Sequence, residues 1–182
     1  LEHIILIGSG GDLSENKRAL ALAHTDERLF ATVGIHPHEV SAMNDEWLDE
    51  IETLVMDKKV VAVGEIGLDY HHKHASPDIQ RKWFAKQIAL AKKLEKPVVI
   101  HDREAHEDTG RILQEMGVPQ KCLFHCFSGD VEFAKKIIDA GIYISIPGVV
   151  TFKNGKVLQE VVANTPIERI VIETDCPYLA PE

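Results

Sequence analysis

Seven short apolar runs recur along the chain: "HIILIG" (3–8), "LFATVG" (29–34), "KVVAVGE" (59–65), "KPVVIH" (96–101), "CLFHC" (122–126), "IYISIP" (142–147) and "RIVIE" (169–173). Most are continuous aliphatic and β-branched stretches rather than alternations of apolar and polar residues. That is the pattern of parallel strands covered on both faces. Segments of helical period fill the gaps. The clearest is "DIQRKWFAKQIALAKKLE" (78–95), with Trp83, Ile88, Ala91 and Leu94 near helical spacing. Pro77 and Asp78 suit its first turn, and Lys92, Lys93 and Lys96 its last. The spacing predicts further helices in "SENKRALALAHTD", "DEWLDEIETLVMD", "EDTGRILQEMG", "DVEFAKKIIDAG" and "NGKVLQEVVAN". This βα alternation carries no GxGxxG or GxxxxGK[ST] after any strand, and "GSGGD" (8–12) reads as a turn.

Composition narrows the class. With 182 residues, 45% hydrophobic and 27% charged, the chain reads as a single α/β domain over 1–182 with a substantial core. No apolar run approaches the ~20 residues of a membrane helix, and the first residues lack the features of a signal peptide. Three cysteines, Cys122, Cys126 and Cys176, form no disulfide framework and point to a reducing, cytoplasmic setting. Cys126 and Cys176 read as packing residues, not nucleophiles. A net charge of −9 argues against a broad basic nucleic-acid footprint, but not against a local grip on phosphate through metal ions.

The chemistry gathers at strand exits. Glu65 follows "VVAVG", His101 follows "PVVI", His125 follows "CLF", Asp175 follows "IVIET", and His36 and His38 stand just beyond "LFATVG". In a (β/α)8 barrel such ends converge on one face, where βα loops build the active site. An open doubly wound sheet would spread most of them along a line. A lone histidine at a strand end is usually a core or loop residue, and a lone carboxylate there commonly caps a helix. Four coincidences favour a metal centre. Two imidazoles and two carboxylates suit zinc, manganese or magnesium, and a bridging carboxylate permits a pair of ions. Asp175 is then placed to accept a proton from water, and Arg103 to meet an anionic substrate, against the alternative of a loop salt bridge. His71, His72 and His74 of "DYHHKH" read as loop residues rather than catalytic ligands.

The blocks "GIHPHEV", "VAVGEIGLDYH", "PVVIHDREAHEDT", "FHCFSGD", "GVVTFKN" and "IVIETDCPYLAP" resemble, in order, those of the TatD family of metal-dependent deoxyribonucleases. The resemblance implies a (β/α)8 TIM barrel that hydrolyses phosphodiester bonds of DNA, single-stranded or at 3′ ends, with divalent metal ions (Mg, Mn or Zn), two per complete site. It implies that Glu65 bridges two ions, that His101 and His125 hold one, and that Asp175 holds the other and takes the water proton. His36, Arg103 and Ser128 match positions facing the substrate phosphate.

Two features depart from the family pattern. No HxH motif follows the first strand, and the basic segment that follows "CPYLAP" in the family is absent from these 182 residues. Seven strands stand where a closed barrel has eight. The expectation is an incomplete barrel, truncated at both ends, with little nuclease activity by itself. Competing readings are a hydrolase of a C–N or ester bond on the same barrel, or an inactive barrel fragment. Glu65, rather than a lysine, on its strand disfavours the first.

Overall fold

The computed structural model describes residues 2–117, 121–176 and 178–181, which form two compact units, 1–120 and 121–182. The first unit alternates β1 (Ile4–Gly8), α1 (Ser14–Ala23), β2 (Leu29–Val33), α2 (Asp45–Val55), β3 (Val60–Asp69), α3 (Pro77–Lys93), β4 (Val98–Arg103) and α4 (His106–Met116). Its strands pair in sequence order, all parallel. The second unit holds β5 (Cys122–Phe124), α5 (Val131–Asp139), β6 (Tyr143–Ile146), α6 (Lys156–Asn164) and β7 (Ile170–Ile172), again parallel and in order. Among the described residues, the seven strands and six α-helices fall where the apolar pattern predicts. Among the described residues no helix is long and apolar enough to cross a membrane.

Local sequence explains the boundaries. Ser76 caps α3 by accepting from the Ile79 N–H, and Pro77 occupies the first turn, where a missing N–H costs nothing. Asn44 and Asp130 cap α2 and α5 in the same way, through the N–H groups of Trp47 and Phe133. In α3 the apolar face buries Phe84, Ile88 and Ala91 against β3. Each large side chain buried there contributes roughly 1.5–3 kcal/mol.

β3 is longer than the apolar run suggests. It continues through "GEIGLD" to Asp69, so Glu65 lies within the strand rather than at its exit. The register against β4 slips by one residue between Val63 and Ile66, since Val63 faces Val98 while Ile66 faces Ile100. Such a bulge re-aims a side chain, and Glu65 is the residue it re-aims. Gly64 and Gly67, at φ of +156° and +149°, make it possible. A Cβ on Gly64 would lie 2.6 Å from Val99 backbone and side-chain atoms, and one on Gly67 1.9 Å from the His101 carbonyl oxygen.

Three buried amides tie helices to strand exits. Asn16 of α1 accepts from the Gly34 N–H at 2.8 Å and donates to the Gly10 carbonyl. Gln87 of α3 accepts from the Ile35 N–H and donates to the Ile35 carbonyl. Gln80 accepts from the Asp69 N–H at 2.7 Å and donates to the carbonyls of Asp69 and Ala75. Backbone groups that leave the sheet ladder inside the protein need such partners. The loop carrying His36 and the end of β3 at Asp69 are therefore held by α3.

Candidate metal centre

In the first unit, Glu65 and His101 meet directly, with Glu65 Oε1 2.9 Å from His101 Nδ1. His101 Nε2 lies 3.0 Å from Asp69 Oδ2. His36 stands over the pair, its Nε2 4.0 Å from Glu65 Oε1 and its ring centroid 4.3 Å from that of His101. Glu65 and Asp69 are buried. An open cavity of about 610 Å³ adjoins Glu65, lined also by Ser9, Asp12, His36, His38 and Trp47 among others.

Electrostatics separates the two histidines. Burial, then the neighbouring His101 charge, pushes His36 down to about 3, so its ring is neutral and offers a lone pair. Burial also opposes charge on His101, but Asp69 and Glu65 outweigh it and raise His101 to about 9. A proton on His101 thus satisfies two carboxylates, and a cation bound at this imidazole displaces that proton. Burial would push the Asp69 carboxyl up. Hydrogen bonds from His101, His72 and His38 prevail and hold it well below the usual carboxylate range.

In the second unit His125 follows β5, and Glu173 and Asp175 follow β7. His125 Nδ1 is 2.5 Å from Glu173 Oε2, and His125 Nε2 is 3.5 Å from Asp175 Oδ1. Glu173 Oε2 also accepts from the Ser145 hydroxyl at 3.2 Å, and Ser145 Oγ in turn accepts from the Cys126 N–H. Among the described residues, Glu173 Oε1 is buried with no hydrogen-bond partner. A buried carboxylate oxygen left unpaired is costly, and a cation is the partner that this chemistry fits.

Donor atoms of His125, Glu173 and Asp175 lie within 4.8 Å of one another, as do those of His36, His38 and His101, and those of His38, Asp69 and His72. Imidazole and carboxylate donors in such groups suit divalent ions. The structure therefore brings together Glu65, His101 and His36 in one unit, and His125 with Asp175 in the other. Arg103 ends β4 on the residue facing Asp69 and is exposed, as is Ser128 after β5. Sequence reading passed over Glu173 and Asp69. Both sit inside motifs it singled out, "ETD" and "LDYH", and a second carboxylate two or four residues from the first was the available signal.

Residues 2–182 match the family described as TatD related DNase. The Bacillus subtilis metal-dependent hydrolase YabD is 41% identical over the whole chain, which spans 71% of that relative. The 3′-5′ ssDNA/RNA exonuclease TatD of Enterobacter lignolyticus is 36% identical over 95% of the chain and 67% of the relative. The crystal structure of YJJV, a TatD homologue from Escherichia coli, superposes with a TM-score of 0.88 at 29% identity, covering all of this chain and 70% of that one. The chain spans 71% of the length of YabD and 58% of that of the Escherichia coli metal-dependent hydrolase YcfH, to which it is 40% identical over 85% of its own length. The α/β fold with parallel strands is that of an incomplete (β/α)8 barrel, as expected from the sequence. With a family match over nearly its whole length, the chain belongs to the TatD-related DNases.

Proposed function

We propose that the chain is the metal-binding part of a hydrolase that cleaves phosphodiester bonds of DNA, single-stranded or at 3′ ends. The observation that carries this reading is His101, which has a carboxylate oxygen within 3.0 Å of each ring nitrogen, one of them on buried Glu65. Family membership and the name of the E. lignolyticus relative support nucleic acid as substrate.

Glu65 and His101 in the first unit, and His125 and Asp175 in the second, would each hold a divalent ion drawn from Mg, Mn and Zn. An ion held by these residues would supply polarisation of a phosphoryl oxygen and a lowered pKa for water. Glu173 holds His125 in place through Nδ1, as carboxylates commonly orient metal-binding imidazoles. Asp175, partly exposed, accepts the proton of the attacking water as the oxygen bonds to phosphorus and the bond to the leaving sugar oxygen breaks. Neutral His36 borders the phosphate, with Arg103 and Ser128 supplying further contacts. At a net charge of −9 the grip on DNA is local to the ions.

The test is a substrate panel of single-stranded DNA, RNA and small amides, using the protein as its gene encodes it, stripped by chelator and reloaded with each metal. Metal-restored cleavage of the oligonucleotides is expected. Hydrolysis of the amides alone, or equal cleavage with and without chelator, would overturn the reading.

A further inference from the structure

The histidines of "DYHHKH", at and beyond the end of β3, are not used by the chemistry above, yet through Asp69 the segment closes on the loop after β2. Asp69 Oδ2 faces three imidazole nitrogens at once: His38 Nε2 at 2.8 Å, His72 Nδ1 at 2.9 Å and His101 Nε2 at 3.0 Å. One carboxylate oxygen has two lone pairs, so it cannot accept three full hydrogen bonds. The other oxygen, Oδ1, is engaged by the His72 N–H at 2.8 Å. Gln80 grips the Asp69 N–H and carbonyl, so the carboxylate cannot swing away.

We propose that His38, Asp69 and His72 form a further site, which binds a single divalent transition-metal cation of the zinc class. The cation takes one lone pair of Oδ2, while the His101 N–H keeps the other, and the oversubscription disappears. His38 and His72 then act as lone-pair donors through Nε2 and Nδ1. All three donor atoms lie within 4.8 Å of one another. Ligand bonds of ~2.0–2.2 Å at tetrahedral angles place neighbouring donors ~3.3–3.6 Å apart, so each ring must draw back from Oδ2 by about half an ångström or a little more.

Two imidazoles and one carboxylate select zinc, cobalt or nickel over magnesium or calcium, which prefer all-oxygen sets. His38 is about a quarter exposed and His72 about half, which gives an ion a path from solvent. His74 lies beside this edge, its ring tilted 45° to that of His38 with the centroids 4.5 Å apart. The trio His36, His38 and His101 also gathers donors, but the carboxylate beside it is Glu65, which belongs to the centre already described. Asp69, buried and anionic, favours the outer position for His38. The inference does not rest on the proposed nuclease activity.

Cobalt(II) binding to the chelator-stripped protein, as its gene encodes it, tests this by equilibrium dialysis and visible absorption. Adding His72→Ala to Glu65→Ala should remove one equivalent of cobalt, leaving only what His125, Glu173 and Asp175 bind. His71→Ala, in the same loop but paired with Glu104 at the surface, should keep that equivalent. Circular dichroism should show all variants folded. Undiminished cobalt in Glu65→Ala/His72→Ala, no cobalt in Glu65→Ala, or equal loss in His71→Ala would overturn the site.

Discussion

Gly67 lies so close to His101 that a Cβ at position 67 would stand 1.9 Å from the His101 carbonyl oxygen. The second glycine of "GEIG" thus sets how nearly β3 approaches β4 beside the candidate centre. Gly67→Ala cannot be accommodated by a rotamer change, because the obstacle is backbone and φ is +149°. We expect a loss of stability on the order of 3 kcal/mol or more. Urea unfolding measures it. A variant as stable as the parent would show that the strands part freely here.

Gln80 is a second such determinant, because its amide serves three backbone groups around Asp69. Gln80→Leu keeps the volume and leaves those groups unpaired, at ~1–3 kcal/mol for each one that water cannot reach. The expected result is a lower unfolding midpoint, with faster amide exchange at Asp69. An unchanged exchange rate there would contradict the role assigned to α3.

Glu173→Gln tests the second unit. The charge beside His125 is lost while the shape stays. Manganese affinity, measured by titration calorimetry, should fall ~10–100-fold. An unaltered affinity would leave the buried Oε1 without the explanation offered for it.

Acid sensitivity has a separate source, away from these centres. Hydrogen bonds from the Tyr70 hydroxyl, Arg111 and Arg81 hold Asp108 down to about 2. Because this lies below the ~3.9 of an unfolded aspartate, its stabilising contribution is complete above about pH 4 and lost as pH falls toward 2. The difference in melting temperature between the parent and Asp108→Asn should therefore shrink across that window. A constant gap between pH 5 and pH 2 would refute this.

Much of the architecture was legible because β-branched runs mark strands buried on both faces, and all seven appear where the pattern places them. Glu65 and His101 were legible as chemistry, since charged or titratable groups rarely end apolar runs without a partner. The bulge at Gly64–Glu65 was not, because a glycine-flanked carboxylate reads as a strand end when the opposing register is unknown. Asn16, Gln80 and Gln87 were invisible for a related reason. A polar residue within a helix reads as a solvent-facing position, and only the tertiary contact reveals a backbone group waiting for it. Asp69 becomes significant only because two loops and β4 deliver histidines to one of its oxygens.

Glu65→Gln bears most directly on the proposal that these donors hold the ions of a phosphodiesterase. The measurement is the initial rate on a 3′-labelled single-stranded oligonucleotide with saturating manganese, for the protein as its gene encodes it, alongside its melting temperature. A rate reduced at least ~100-fold with melting preserved is the predicted result. A rate within a few-fold of the parent would mean that Glu65 does not serve the reaction and would contradict the account.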